Sequence, residues 1–355
     1  MAIMREQLSA RAIALNRTIA GSNLLEYIGP ILFPSKKKAG LDLKWIKTHK
    51  GLPVSLSPSA FDTVSTIRSR EGIKIDKTEM AFFKESMLVK EQDEQDLLRA
   101  GEEGDPLLTQ ALESIYDDVN TLIDGADVVP ERMIMQLLSP VNGKPGISIA
   151  ANGATYLYDY DPSGDFKTNN FLNIVTATDQ WTDTVNSDPV ADIEKGMDSV
   201  EERTGSKPEI MIVSKKTFNL LKKNAKVRGY LLAQNLTANI MVTDQIVKDF
   251  FRSALGISIV IYNKKYRDEA GIVKQFYPDG FATLIPSGVL GNTWYGTTPE
   301  ERVMGAAGVD VAMINNNVSV QVVHSTDPVH TKILASEVVL PSFERMDEVF
   351  VIKAF

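Results

Sequence analysis

Asp188-Pro189-Val190-Ala191-Asp192-Ile193, followed by Pro208-Glu209-Ile210-Met211-Ile212-Val213-Ser214, is the stretch whose reading decides the fold. An aspartate before a proline marks a helix start. Its carboxylate can accept the first free amides, and proline lacks an N–H that the first turn leaves unpaired anyway. Val190, Ile193, Met197 and Val200 recur on one helical face, and Thr204-Gly205 closes it. The run from Glu209 to Val213 is too short for a helix and reads as a short apolar strand. Ser214 then caps a second helix carrying Phe218 and Leu221. Asp244 to Leu255 reads as a third helix ended by Gly256, and Ile257 to Tyr262 as another buried strand. This alternation of helix and strand predicts a mixed α+β lobe over residues 181–320.

Working outward toward the N-terminus, Leu108, Leu112, Ile115, Val119 and Leu122 step by helical spacing behind Asp105-Pro106. They predict an amphipathic helix that Gly125 and Pro130 kink or interrupt, with a second segment through Met133, Ile134, Leu137 and Leu138. Asn142-Gly143 reads as a turn, and 147–160 as a hairpin around Asn152-Gly153. Residues 1–34 read as an extended arm with at most a short helix, because Gly29-Pro30 and Phe33-Pro34 interrupt regular structure. From 35 to 85, alternation at 41–46 and at Ile73-Lys74-Ile75-Asp76 predicts a long two-stranded excursion, marginally stable unless it packs on something else. Its first leg is basic, with Lys36, Lys37, Lys38, Lys44, Lys47 and Lys50. The approach to the long helix is acidic, with Glu91, Asp93, Glu94, Asp96, Glu102, Glu103 and Asp105. Glu337 to Phe355 returns to strand-like texture.

Composition narrows the function. With 355 residues, 43% hydrophobic and 24% charged, the chain is long enough for two or three lobes and for a sizeable core. A net charge of −8 argues against general gripping of nucleic acid, which needs clustered cations. The absence of cysteine excludes disulfides, thiolate metal sites and cysteine nucleophiles, and suits a reducing cytoplasm. No window reaches the roughly 18 apolar residues of a membrane span. Arg5, Arg11 and Arg17 against Glu6 give the N-terminus the flavour of a transit peptide, but a solvated arm needs the same composition.

Candidate chemistry is sparse. His49, His324 and His330 fall in no HExxH pattern, and neither a phosphate-cradling glycine motif nor a nucleophile elbow occurs. Asp159, Asp161, Ser163, Gly164 and Asp165 imitate the start of a calcium loop. Pro162 interrupts it, however, and Asn170 stands where a bidentate glutamate is needed, so it reads as a turn. Glu201-Glu202 and Glu300-Glu301 read as solvated acid pairs. No catalytic, cofactor-binding or metal residues are assigned, and the basic first leg with the acidic approach suits a subunit that touches copies of itself.

The order of elements resembles the lambda-type capsid protein E family, within the Hong Kong 97-like shell fold of tailed bacteriophages. The resemblance rests on Trp181 through Ile193, Pro208 through Ser214, and Leu255-Gly256 with Ile259-Val260-Ile261-Tyr262-Asn263. It continues through Tyr295-Gly296-Thr297-Thr298-Pro299-Glu300, and through Val339-Leu340-Pro341-Ser342-Phe343-Glu344 with Val349-Phe350-Val351. It implies an N-terminal arm (1–34), an extended β-hairpin loop (35–85), a peripheral domain with a long spine helix (86–180) and an axial domain (181–320). C-terminal strands (321–355) would return to the peripheral domain. The implied function is a major head protein, not an enzyme, that self-assembles into pentamers and hexamers of an icosahedral shell. Assembly in the host bacterial cytoplasm would lead to the virion, with double-stranded DNA enclosed without sequence-specific binding and with no cofactor or membrane. Residues 1–20 carry no long acidic helical leader, which implies a separate scaffolding protein beside a portal and a decoration protein. Some relatives weld subunits through a Lys–Asn isopeptide bond; no matching pair is singled out here. The inter-subunit contacts expected are Lys36, Lys37, Lys38, Lys44, Lys47 and Lys50 against Glu102 and Glu103. The competing readings are a nanocompartment shell of the same fold and an α/β enzyme with an unrecognised site.

Overall fold

A computed structural model describes residues 9–19, 27–46, 75–91, 106–151, 154–234, 242–326 and 329–355. Its longest element is one continuous helix, Pro106–Leu138, about 50 Å long at ~1.5 Å per residue. The expected interruption at Gly125 to Pro130 does not occur. A helical glycine costs only about 1 kcal/mol, and proline forfeits one amide bond. Almost complete burial of Met133, Ile134, Met135, Leu137 and Leu138 just beyond it offsets both.

The chain divides into two units. The first comprises Met1–Lys44, Lys77–Met133 and Gly291–Ser342. Its centre is the strand Val329–Ser342, which pairs antiparallel with Ala81–Val89, with Val318–Thr326 and, at its far end, with Asn292–Tyr295. Asp310–Ile314 extends one side, and Ser35–Lys37 joins Asn292–Tyr295 in parallel. Strand alternation sends Val320, Val322, Ile333 and Ala335 to one face, where they bury against Val119 and Ile123 of the long helix. Ala10 and Ile13 close this core from the helix Ala10–Ile19, whose first amide donates to Asp310 Oδ2 at 2.9 Å. The arm is therefore more helical than expected. Pro30, instead of ending structure, sits in the first turn of the short helix Gly29–Leu32.

The second unit comprises Trp45–Asp76, Ile134–Leu290 and Phe343–Phe355. Its five-stranded sheet runs Phe171–Asn173, Phe350–Lys353, Phe281–Ile285, Ile210–Val213, Ser258–Ile261. The last two strands are parallel, and the helices Lys215–Lys223, Ala225–Gln234 and Asp244–Ala254 make the crossover between them. Sequence-level caps hold: Asp188 accepts from Ala191 N, Ser214 from Thr217 N, and Gly205 ends its helix at φ +68°. The helix Pro189–Thr204 can lie close to the sheet because Gly196 carries no side chain. A Cβ there would sit 2.7 Å from Phe350 and 3.0 Å from Leu284. The hairpin Gly146–Ala151/Ala154–Asp159 belongs to this unit; its turn, Asn152-Gly153, lies outside the described residues.

These units depart from the expected 86–180, 181–320 and 321–355 divisions. Antiparallel pairing of Asn292–Tyr295 with Val329–Ser342 draws residues 291–320 into the first unit. The final strand pairs with Phe281–Ile285 and so belongs to the second unit, not to the lobe holding Val338 and Leu340. The excursion expected over 35–85 is also narrower. Ser35–Lys37 and Ala81–Val89 are strands of the six-stranded sheet, which leaves Asp42–Ile46 and Ile75–Glu79 as the paired legs.

Candidate subunit-contact surface

The roots of the hairpin meet at one built node of the first unit. Gly296 donates its amide to Val338 O at 2.8 Å, and a Cβ on it would lie 2.6 Å from Val338, 2.7 Å from Gly40 O and 2.9 Å from Met80. Gly40 and Met80 are the two ends from which the hairpin legs depart, and Met80 N donates to Leu41 O at 2.9 Å. Two residues on, Thr298 caps the turn Pro299–Arg302 by accepting from Glu301 N, and its hydroxyl meets that of Ser319. The cap aims two carboxylates at the flanking strands. Glu300 receives Lys84 Nζ at 2.6 Å and Ser336 Oγ at 2.7 Å, while Glu301 receives Lys37 Nζ at 2.8 Å. Burial works against the Glu300 charge, but the Lys84 ammonium and the Ser336 hydroxyl outweigh it and hold its carboxyl below the usual range.

The Glu300-Glu301 pair is thus not a solvated face: Glu300 is only 5% exposed. The capping-box spacing Thr298-Pro299-Glu300-Glu301 could have marked Glu301 at a helix start, but no local signal marks Glu300 as buried. Lys37 is corrected likewise. Its ammonium is committed within the subunit to Glu301 and to Asn316 O at 3.0 Å, because the parallel strand pairing fixes it over that turn. Lys36 is exposed, with Nζ 5.5 Å from the Trp294 ring centroid. Lys38 donates its backbone amide to Tyr295 O at 2.8 Å. Lys44 falls within the strand Asp42–Ile46. Lys47, Lys50, Glu102 and Glu103 lie outside the described residues, as do Asp93, Glu94, Asp96, Asp105 and His49.

Other candidate chemistry resolves into turns and caps. In the calcium-like stretch, Asp159 Oδ1 accepts from Asp161 N at 2.8 Å and Asp161 Oδ2 from Lys167 N at 3.3 Å, while Gly164 takes φ +78°. Those carboxylates order a turn. His324 Nδ1 lies 3.0 Å from Thr331 Oγ1 across adjacent strands. Among the described residues no group of three or more His, Asp or Glu side chains is placed to hold a metal ion, and no helix is long and apolar enough to cross a membrane.

Residues 26–354 match the family described as phage major capsid protein E. No curated protein matches the chain. Among solved structures, the chain is similar to a putative capsid protein of a prophage from E. coli CFT073, at 15% identity and TM-score 0.58, covering 98% of this chain and 99% of that one. A phage-related protein from Bordetella bronchiseptica RB50 is similar at 14% identity and TM-score 0.55, with 98% and 97% covered. The capsid protein of cyanophage A-1(L) follows at 12% identity and TM-score 0.51, with 96% and 99% covered.

Proposed function

Because the chain belongs to the phage major capsid protein E family, we propose that its copies close as pentamers and hexamers into an icosahedral head shell around double-stranded DNA. It is a major capsid shell protein, and its fold is the Hong Kong 97-like one. Assembly in the host cytoplasm, a separate scaffolding protein, a portal, a decoration protein and the lack of enzymatic activity are part of the same proposal. So is the identification of the first unit with a peripheral role and the second with an axial one.

The observation that carries the assembly reading is the node at Gly296. A two-stranded hairpin has too little core to hold itself, yet both its roots are fixed by a close-packed glycine and two internal ion pairs. A rigid base under a weakly cored projection is what a subunit needs to lay a hairpin across a neighbour in one direction. The exposed Lys36 and the lysines further along the leg remain the proposed contact residues, with Glu102 and Glu103 as their complement. Electron microscopy of the purified protein, alone and from induced lysogens, tests this. Rings of five and six or closed shells holding DNA support it. Shells holding an enzyme cargo instead would favour a nanocompartment, and a persistent monomer with catalytic turnover would sink it.

A further inference from the structure

At the junction between the arm and the spine helix, two carboxyls meet the Arg17 guanidinium and two more, Glu131 and Glu337, are buried close to them. Arg17, 7% exposed, pairs with Asp124 and lies 3.7 Å from Asp127. One turn further along the helix, Glu131 Oε2 accepts the Gly29 amide at 2.9 Å and is itself buried. Tyr27 faces the same acids from the arm, and its hydroxyl is pushed up to about 12 by burial and then by Glu131, Asp127 and Asp124. From the sheet comes Glu337, 1% exposed, whose Oε1 is buried without a hydrogen-bond partner.

Among the described residues, the groups acting on Glu337 offer it no counter-charge. Asp127 acts on it from the helix, and Tyr295 stands on the neighbouring strand with its hydroxyl pushed far up by burial, Glu337 and Asp127. Its cross-strand partner is Phe83, with Glu85 further along that strand and exposed. Arg132 follows Glu131 on the helix, beside the Gly29 contact.

We propose that this junction is a proton-dependent latch: the arm stays seated while Asp127 and Glu337 are protonated and loosens as they ionise. Ionised Asp127 can still lean on Arg17, so Glu337, which meets no cation among the described residues, is the group that opens the latch. Burial raises both carboxyls: Asp127 to about 6, against the pull of Arg17 and with a further push from Asp124, and Glu337 well above the ordinary range, with a further push from Asp127. The sign follows. A raised folded-state value means that the seated form holds protons which the released form gives up. The latch is therefore tightest below the ordinary carboxyl range and weakens as pH rises through 6 and beyond.

The test uses the full-length chain as unassembled subunits and trypsin cleavage after Arg17, normalised to a short peptide containing the same bond. Cleavage of the parent should rise as the pH climbs through about 6 and continue to rise above it, by up to about tenfold per pH unit for each proton released. Glu337→Gln, which keeps the shape and cannot ionise, should flatten the rise at its alkaline end. Asp127→Asn should flatten it near pH 6. A parent whose cleavage does not change with pH, or a folded Glu337→Gln with the parent's profile, overturns the latch. If Glu337→Gln does not fold, the Asp127→Asn profile decides by the same criterion.

Discussion

The side chain that binds the loop base most directly is Glu300, and its two bonds differ in worth. Ser336 Oγ is buried with it, whereas the Lys84 side chain is 40% exposed and its attraction is screened. Glu300→Ala should therefore cost about 1–3 kcal/mol, chiefly by leaving a buried hydroxyl unmatched. Lys84→Met should cost no more than about 1 kcal/mol. Urea unfolding of the three chains checks the order; equal losses would mean that the ion pair dominates. Gly291 is stricter still. A Cβ there would lie 1.8 Å from Ser342 O, so Gly291→Ala should forbid the pairing of Asn292 with Ser342 and give insoluble protein. Neither residue stood out in the sequence. A buried acid and a solvated one share a letter, and a glycine's close neighbour lies 51 residues away, beyond the reach of local pattern. The caps at Asp188, Ser214 and Gly205 were legible because each works within four residues.

Elements were legible where period and cap agree, and misjudged where one residue opposed a long pattern. The spine helix continues through Pro130 because packing on both sides outweighs one lost amide bond. Pro130→Ala restores that bond and removes the ring's clash with the preceding turn. It should stabilise the chain by up to about 3 kcal/mol, read as a higher Tm; an unchanged or lower Tm would show that the proline costs nothing at this position. The final strand was legible as a buried strand but not in its partner. Phe343, Val349, Phe350, Val351 and Ile352 are all buried, yet Phe350–Lys353 lies between Phe171–Asn173 and Phe281–Ile285. Each such side chain is worth about 1.5–3 kcal/mol. Removing residues 341–355 should thus unfold the second unit, measured as loss of soluble protein; normal shells from the truncated chain would refute it.

At the scale of the whole molecule, the family and the fold could be read from the order of short motifs, while the boundaries of the two units could not, since antiparallel pairing joins segments by register and not by proximity in sequence. The same distinction separates the loop lysines. Lys37, partly buried, is already paired within the subunit, so Lys37→Glu should lower subunit stability through repulsion from Glu301 and would mix that loss with any effect on assembly. Lys44, in the strand Asp42–Ile46 beyond the node, and Lys47, which follows that strand in sequence, are the residues with which to test the contact. An exposed ion pair contributes roughly 0–1 kcal/mol, too little to hold two subunits. Repeated at every interface, it biases orientation and encounter rate. Such pairs are screened over about 8 Å at physiological salt and about 3 Å at 1 M. Assembly followed by light scattering should therefore slow at high salt while the subunit's Tm stays constant. Lys44→Glu with Lys47→Glu should block assembly, and adding Glu102→Lys with Glu103→Lys should partly restore it. If the charge-reversed loop assembles as fast as the parent at low salt, the leg's lysines are solvated and the loop docks by other means.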